Sequence, residues 1–387
     1  MNRVVLNLWA LRDNLRILSR WLGDYGARFS VVTKALGGHA EALRALRLLG
    51  VNSVADTRVA NLRALGEMMP DAEKWMIRPP HLSVADEVVR LAQVSTVTEV
   101  ATLQALDAAA HAQNLRHGVL IMIEQGDLRE GVLAGQLDEI YAAAQALEHL
   151  DVVGIGAQMG CLSGAAPSPD QVDQLRLFAD YLRMKYKKPL PVLSAGSSAT
   201  LHLLCEGGLP VGINHFRIGE ALFLGTDLVT GGQLPELRSD VLTLEAEICE
   251  LKEKSLQSSA ELGATTPFTS VDAASATPPE VGARGYRALL ALGQIDTEVA
   301  GLTPLTPDYQ IAGASSDITV VNVGAEPGSL KVGDHLRFRT SYSAFARLLS
   351  SRYVPTVVEP DLGTFADRLD DADRVDIPPV LSPGGVA

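Results

Sequence analysis

Ser30-Val31-Val32-Thr33-Lys34-Ala35 runs apolar and β-branched up to a single lysine, and Gly37-Gly38-His39 follows. β-branched residues suit a pleated, buried surface, so this stretch reads as a strand delivering one amine to a loop beside a helix start. Burying a lysine is costly unless it has a partner or a covalent job.

Outward from that strand, strand-like and helix-like segments alternate to about residue 225. The strand candidates are Phe29–Lys34, Asn52–Asp56, Lys74–Arg78, Val94–Thr98, Gly118–Glu124, Asp151–Ala157, Pro191–Ala195 and Asn214–Ile218. Amphipathic stretches lie between them. Ala42, Leu46 and Leu49 repeat at helical spacing, as do Val59, Leu62 and Leu65, and Ile140, Ala144, Leu147 and Leu150. Eight β-then-α units predict a (β/α)8 TIM barrel, an α/β fold in which catalytic groups sit at the C-terminal ends of strands. Lys34 stands at such an end. The rival is an open doubly wound sheet, but no Gly-x-Gly-x-x-Gly loop follows the first strand.

Past residue 230 the rhythm changes. Leu242–Lys254 reads as a strand or short helix, and Ser255–Val281, rich in Ser, Ala, Thr and Pro, as an exposed loop. Short runs at Tyr286–Leu292, Ile318–Val323, His335–Thr340 and Tyr353–Val358 are punctuated by Gly, Pro and Asp. The expected layout is a barrel over 1–230, a smaller all-β C-terminal domain over 231–358 and a flexible tail over 359–387.

A hydrophobic fraction of 47% permits a large core, and a net charge of −13 argues against nucleic acid as a partner. No apolar run is long enough to span a bilayer, and the N-terminus has no apolar signal core. Three scattered cysteines (Cys161, Cys205, Cys249) fit a reducing cytoplasm better than a disulfide scaffold, and no metal spacing is visible.

Several loops add candidates. Leu193-Ser194-Ala195-Gly196-Ser197-Ser198-Ala199-Thr200 joins the seventh barrel strand to a helix, and its small residues, hydroxyls and free N–H groups suit a phosphate, although a capped helix explains them as well. Arg217-Ile218-Gly219-Glu220 ends the eighth strand. Arg217 is either one half of a salt bridge to Glu220 or a donor to the pyridine nitrogen of pyridoxal phosphate (PLP), the cofactor with which Lys34 would form a Schiff base. Arg129, in Gly126-Asp127-Leu128-Arg129-Glu130-Gly131, either holds a substrate carboxylate or pairs with Asp127 or Glu130. Ala55-Asp56-Thr57-Arg58 reads as an N-cap with helix-start charges. Gln158 is a candidate to lie against the cofactor ring, and Cys161 is either an acid or inert filler. Gly313-Ala314-Ser315-Ser316-Asp317 and Leu292-Gly293-Gln294-Ile295-Asp296 are polar inserts that tight turns explain, or that line the mouth of a neighbouring barrel.

Taken together, Val32-Thr33-Lys34, the Asp56–Leu62 segment, the Arg129 and Arg217 motifs and Ser315-Ser316-Asp317 resemble the fold-type III PLP enzymes of the alanine racemase superfamily, most closely its ornithine/alanine racemase-like branch. The resemblance covers about Arg3 to Val354. It implies a PLP barrel followed by a β domain, in a head-to-tail homodimer whose active sites combine both. It implies Lys34 as the Schiff-base lysine and Arg217 at the pyridine nitrogen. Ser197, Ser198 and the backbone of Gly219 and Glu220 would take the phosphate, and Arg129 the substrate carboxylate. Asp317, with Ser316, would bind a substrate amine.

This chain departs from the family pattern in places. Gln294 stands where alanine racemases have a catalytic tyrosine, and Met122 where they have a lysine. Gly38 takes the place of a phosphate-binding tyrosine, for which Tyr353 is the substitute candidate. Ser197, Gln158 and Ile318 replace an asparagine, an asparagine and a histidine. The implied reaction is racemisation or epimerisation of a free amino acid, with a basic one such as ornithine as a candidate. Lys34 would act as base on one face of Cα, and Asp317, Asp296 or Cys161 as acid on the other. The alternatives are a decarboxylase, an aldolase-type lyase and a non-catalytic PLP-binding protein.

Overall fold

The computed structural model describes residues 1–257, 282–375 and 377–381. The chain forms two compact units, and neither is one continuous stretch: Met1–Ala10, Ala35–Gly37 and Ser239–Asp361 make the first, and Leu11–Lys34, Gly38–Arg238 and the chain from Leu362 onward make the second.

The second unit holds a closed barrel. Its strands are β2 (Arg28–Val32), β3 (Ser53–Asp56), β4 (Glu73–Met76), β5 (Val94–Val97), β6 (His117–Ile123), β7 (Leu150–Ala157), β8 (Val192–Ser197) and β9 (His215–Ile218). All eight run parallel, and β2 closes the ring on β9 with Ser30 opposite Arg217. Strands β3 to β6 are buried along their whole length, because one face meets the barrel interior and the other meets helices. That double burial is why they read as continuous apolar runs instead of alternating ones. The intervening helices include α2 (Ala40–Leu48), α3 (Val59–Met68), α6 (Leu137–Gln145), α7 (Pro169–Tyr186), α8 (Leu201–Cys205) and α9 (Glu220–Leu224). Of the predicted helical repeats, Ala42 and Leu46, all three of the second set, and Ile140 with Ala144 lie in helices; Leu147 falls past the end of α6 and Leu150 opens β7.

The residues after 359 are not a loose tail as far as they are described. Leu362–Arg368 forms a helix, α11, that packs on α2. The chain then runs beside β3: Val375 N donates to Leu49 O at 2.9 Å, Ile377 N to Gly50 O at 2.9 Å, and Asn52 N to Ile377 O at 2.9 Å. Val380 ends in the barrel interior among Val32, Trp75, Leu120, Met122 and Val192. There the Glu73 carboxylate, at the N-terminal end of β4, accepts from Val380 N (2.8 Å), Leu381 N (2.9 Å), Trp75 Nε1 (2.7 Å) and Ser53 Oγ (3.2 Å). The hydroxyls of Ser53 and Ser30 share a hydrogen bond, and Ser30 Oγ meets His215 Nε2 at 2.9 Å. The floor of the barrel is therefore a closed polar cluster, sealed by the chain's own C-terminal stretch.

The first unit is a sheet. β1 (Arg3–Asn7) pairs antiparallel with β10 (Leu242–Ser255) and parallel with β16 (Thr356–Glu359). β10 continues to β11 (Arg284–Leu290), β14 (Thr319–Gly324) and β13 (Gln310–Ala314) on one side, and to β15 (His335–Thr340) and β12 (Leu302–Pro304) on the other. The N-terminal strand thus belongs with the β unit and not with the barrel to which its position in the sequence assigned it. The Leu242–Lys254 segment is a strand throughout. Within the loop expected over Ser255–Val281, residues 258–281 lie outside the described residues. No helix among the described residues is long and apolar enough to cross a membrane.

Candidate active site

Lys34 lies two residues past the end of β2, as the first residue of a 3-10 turn over Lys34–Leu36. Its backbone is tied on both sides. Thr33 Oγ1 donates to Asp56 Oδ2 at 2.8 Å, and Asn61 Nδ2 reaches both Asp56 Oδ1 (3.1 Å) and Lys34 O (3.5 Å). Asp56 is fully buried at the end of β3, and it also accepts from the backbone N–H groups of Thr57 (2.6 Å) and Arg58 (3.0 Å). It is not the N-cap that the sequence suggested: Arg58 occupies that position for α3, with no side-chain cap. The carboxylate instead bridges the lysine loop to the helix.

Arg217, on β9, is 6% exposed. Nη1 donates to Ser194 O at 2.8 Å and to the Ser194 hydroxyl; Nη2 donates to Ala157 O at 2.8 Å and to Gln158 Oε1 at 3.3 Å. The salt bridge to Glu220 is not formed. Nε makes no hydrogen bond among the described residues. Burial lowers the guanidinium to about 10, so it remains charged at neutral pH. The barrel thus grips one end of the group and leaves one directional donor.

Ser197 ends β8 opposite Arg217 in register. Its N–H donates to Thr200 Oγ1 at 2.6 Å, and its hydroxyl accepts from Ala199 N at 3.2 Å. Ser198 Oγ accepts from Gly219 N (3.4 Å) and Ala221 N (3.2 Å), long contacts that a stronger acceptor such as phosphate could replace. Burial pushes the Glu220 carboxyl up to about 7, against the pull of the Lys34 charge on the neighbouring strand end. The donor set therefore fits PLP: an amine, a single buried cationic N–H, and hydroxyls with helix-start amides.

Arg129 is held by its neighbour. Nε and Nη2 donate to the Glu130 carboxylate, which keeps the guanidinium firmly protonated, and Nη1 donates to Cys161 Sγ at 2.9 Å. Gly131 is required in this loop, because a Cβ there would come within 2.2 Å of Glu124 N. Asp127 organises the facing loop: its Oδ1 accepts from the N–H groups of Cys161, Leu162 and Ser163, while Oδ2 is buried with no partner. Lys34, Gln158, Cys161, Arg129, Arg217 and Glu220 thus all stand at or just beyond the C-terminal ends of barrel strands. His39 and His215 are structural: His39 caps α2 and His215 is fully buried in the floor cluster.

The other candidates belong to the β unit. Ser316 Oγ donates to Asp317 Oδ2 at 2.7 Å, and Asp317 is exposed. The loop beside it carries Gln294, whose N–H donates to Ser315 O at 3.0 Å, and Ile295, whose N–H donates to Ser316 O at 3.0 Å. The two polar inserts are therefore one paired loop, and only glycine fits at 293, where a Cβ would meet Ser316 O at 2.2 Å. Asp296 Oδ2 accepts from Gly293 N at 3.1 Å. Tyr353 is 63% exposed, its hydroxyl accepting from Arg352 at 2.7 Å. Sequence reasoning missed the Asp56–Asn61 clamp and the Arg129–Glu130 lock as units. The motif Ala55-Asp56-Thr57-Arg58-Val59-Ala60-Asn61 held the first, at a spacing of five residues that only the turn after β3 brings together.

Comparison with known proteins agrees with this geometry. The family model described as alanine racemase, N-terminal domain, matches residues 6–227. An ornithine racemase of Acetoanaerobium sticklandii is 34% identical over 91% of this chain and 98% of its own length. A lysine racemase of Thermotoga maritima is 29% identical, covering 93% of this chain and 99% of that protein. The solved alanine racemase of Streptomyces coelicolor A3(2) shares the fold, with a TM-score of 0.71 at 19% identity over 93% of this chain and 98% of that one. The chain belongs to the alanine racemase superfamily of fold-type III PLP enzymes, and its activity is that of an amino-acid isomerase.

Proposed function

We propose that the protein racemises a free basic amino acid, ornithine or lysine being the first substrates to try, with PLP held by Lys34. The observation that carries this reading is the buried Arg217, whose two amino nitrogens are bound to barrel oxygens while Nε is left over, on the strand that pairs with the one preceding Lys34. The two near-full-length relatives are an ornithine and a lysine racemase, which supports a basic substrate.

PLP, when bound, supplies an electron sink for the charge left at the substrate Cα. Arg217, a charged donor at neutral pH, would direct Nε at the pyridine nitrogen and keep it unprotonated, which favours proton exchange at Cα over side reactions. Ser197 and Ser198, with the N–H groups of Gly219 and Glu220, would hold the phosphate, and Gln158 would lie against the ring. Tyr353 from a second copy is the remaining phosphate candidate. Lys34 would take the Cα proton on one face. The opposite face needs an acid, which Asp317 or Asp296 of a second copy's β unit, or Cys161, would provide. Arg129 would take the substrate carboxylate through Nη1, in place of its contact with Cys161 Sγ, and Asp317 with Ser316 would receive a side-chain ammonium. This division of labour requires the head-to-tail homodimer.

The test is an amino-acid panel incubated in deuterated water with the PLP-loaded protein. Racemisation incorporates deuterium at Cα and yields both enantiomers of ornithine or lysine. Release of carbon dioxide or an aldehyde instead would establish a decarboxylase or a lyase, and bound PLP with no turnover of any amino acid would make the protein a PLP carrier.

A further inference from the structure

The clamp on the lysine loop has no part in the reaction as described so far. Asp56 is a fully buried carboxylate with no cation among its hydrogen-bond partners. Its four donors are neutral: the Thr33 hydroxyl, the Asn61 amide and the N–H groups of Thr57 and Arg58. An arrangement that presents only donors favours the acceptor-only, ionised carboxylate. Burial opposes that charge and raises the carboxyl above its usual range. A folded-state value above the unfolded one gives stability that is complete at low pH and is lost as pH rises through it.

Geometry shows where the charge acts. Thr33 is the residue before Lys34, and its hydroxyl is fixed by Asp56 Oδ2 while its N–H is fixed by Ala55 O at 2.9 Å. Asn61, oriented by Asp56 Oδ1, reaches the carbonyl of Lys34 itself. Both shoulders of the lysine thus end on one carboxylate.

We propose that Asp56, acting through Thr33 and Asn61, is a positioning residue that sets the direction in which the Lys34 side chain leaves the barrel rim. The proposal rests on the reading of Lys34 as the PLP-bearing base. The experiment compares the wild-type holoenzyme with Asp56→Asn, Asp56→Ala, Thr33→Ser, Thr33→Val and Lys34→Ala. Each is followed by the visible absorbance of PLP and its pH titration, by kcat and KM, and by thermal melting.

Loosening the base by a fraction of an ångström predicts a loss of about tenfold or more in kcat with KM nearly unchanged for both Asp56 variants. It also predicts a displaced titration of the absorbance band. Asp56→Asn, which keeps the shape, should melt no lower than wild type. Thr33→Ser keeps the hydroxyl and should behave as wild type, whereas Thr33→Val should follow Asp56→Ala. Wild-type kcat and titration in the Asp56 variants would overturn the proposal, and so would a kcat loss that Thr33→Ser shares. Should Asp56→Ala not fold, Asp56→Asn and Thr33→Val carry the same test. An absorbance band that survives Lys34→Ala would instead overturn the reading of Lys34, which separates the two failures.

Discussion

At the floor of the barrel the Glu73 carboxylate accepts from an indole, a hydroxyl and two backbone N–H groups, and the chain of Ser53, Ser30 and His215 continues from it. At the mouth Arg217 commits Nη1 and Nη2 to the barrel and keeps Nε, and Ser198 accepts only at 3.2 and 3.4 Å. Both ends bury polar side chains in the same fold. The floor leaves one polar atom of the cluster unmatched, His215 Nδ1, on a ring that burial holds neutral. The mouth leaves a cationic donor and weakly held amides. Completed hydrogen bonding marks a part that only has to stay together; unfinished hydrogen bonding marks a part that awaits a ligand.

Four substitutions test that contrast. Lys34→Ala should remove Cα deuterium exchange by at least about 10³-fold, with the melting temperature unchanged; an active variant would erase the distinction between the two ends. Glu73→Ala should do the reverse. Four donors lose their acceptor, so urea unfolding should report a loss of about 3 kcal/mol, while the protein that remains folded keeps its absorbance band. Glu220→Gln probes the mouth by pH. The carboxyl rises from 4.5 to about 7 on folding, so its neutral form stabilises the fold below 4.5 and that contribution disappears as pH rises through 7. Wild type should therefore lose about 2 kcal/mol relative to the glutamine variant between pH 4 and 8, allowing for partial exposure. Val380→Ala should cost about 1–2 kcal/mol by leaving a small cavity in the floor, and equal stability would mean that the C-terminal stretch closes nothing.

The sequence was most readable where constraints were local. All eight barrel strands fall within one or two residues of their predicted spans, since each is a short apolar run between turn residues. The candidates at strand ends, Lys34, Arg217, Ser197 and Gln158, could be picked out because a polar residue interrupting an apolar run is visible by itself. Partnerships across long separations were not visible. Glu73 meets Val380 and Leu381 across more than three hundred residues, and no composition or period predicts it. β1 lay inside the span 1–230 assigned to the barrel domain, and only its pairing with β10 and β16 moves it to the other unit. Arg129 was left open between a substrate and a pairing with Asp127 or Glu130, and the structure puts Glu130 on one edge of the guanidinium and Cys161 Sγ on the remaining amino nitrogen.

The sealed floor has a consequence for how the molecule comes into being. Translation delivers residues 28 to 218 long before 380, so a barrel that closes earlier does so without Val380 between its strands and without two of the donors to Glu73. A chain cut before Val380 would open Trp75 and Glu73 to water and leave the barrel without its plug.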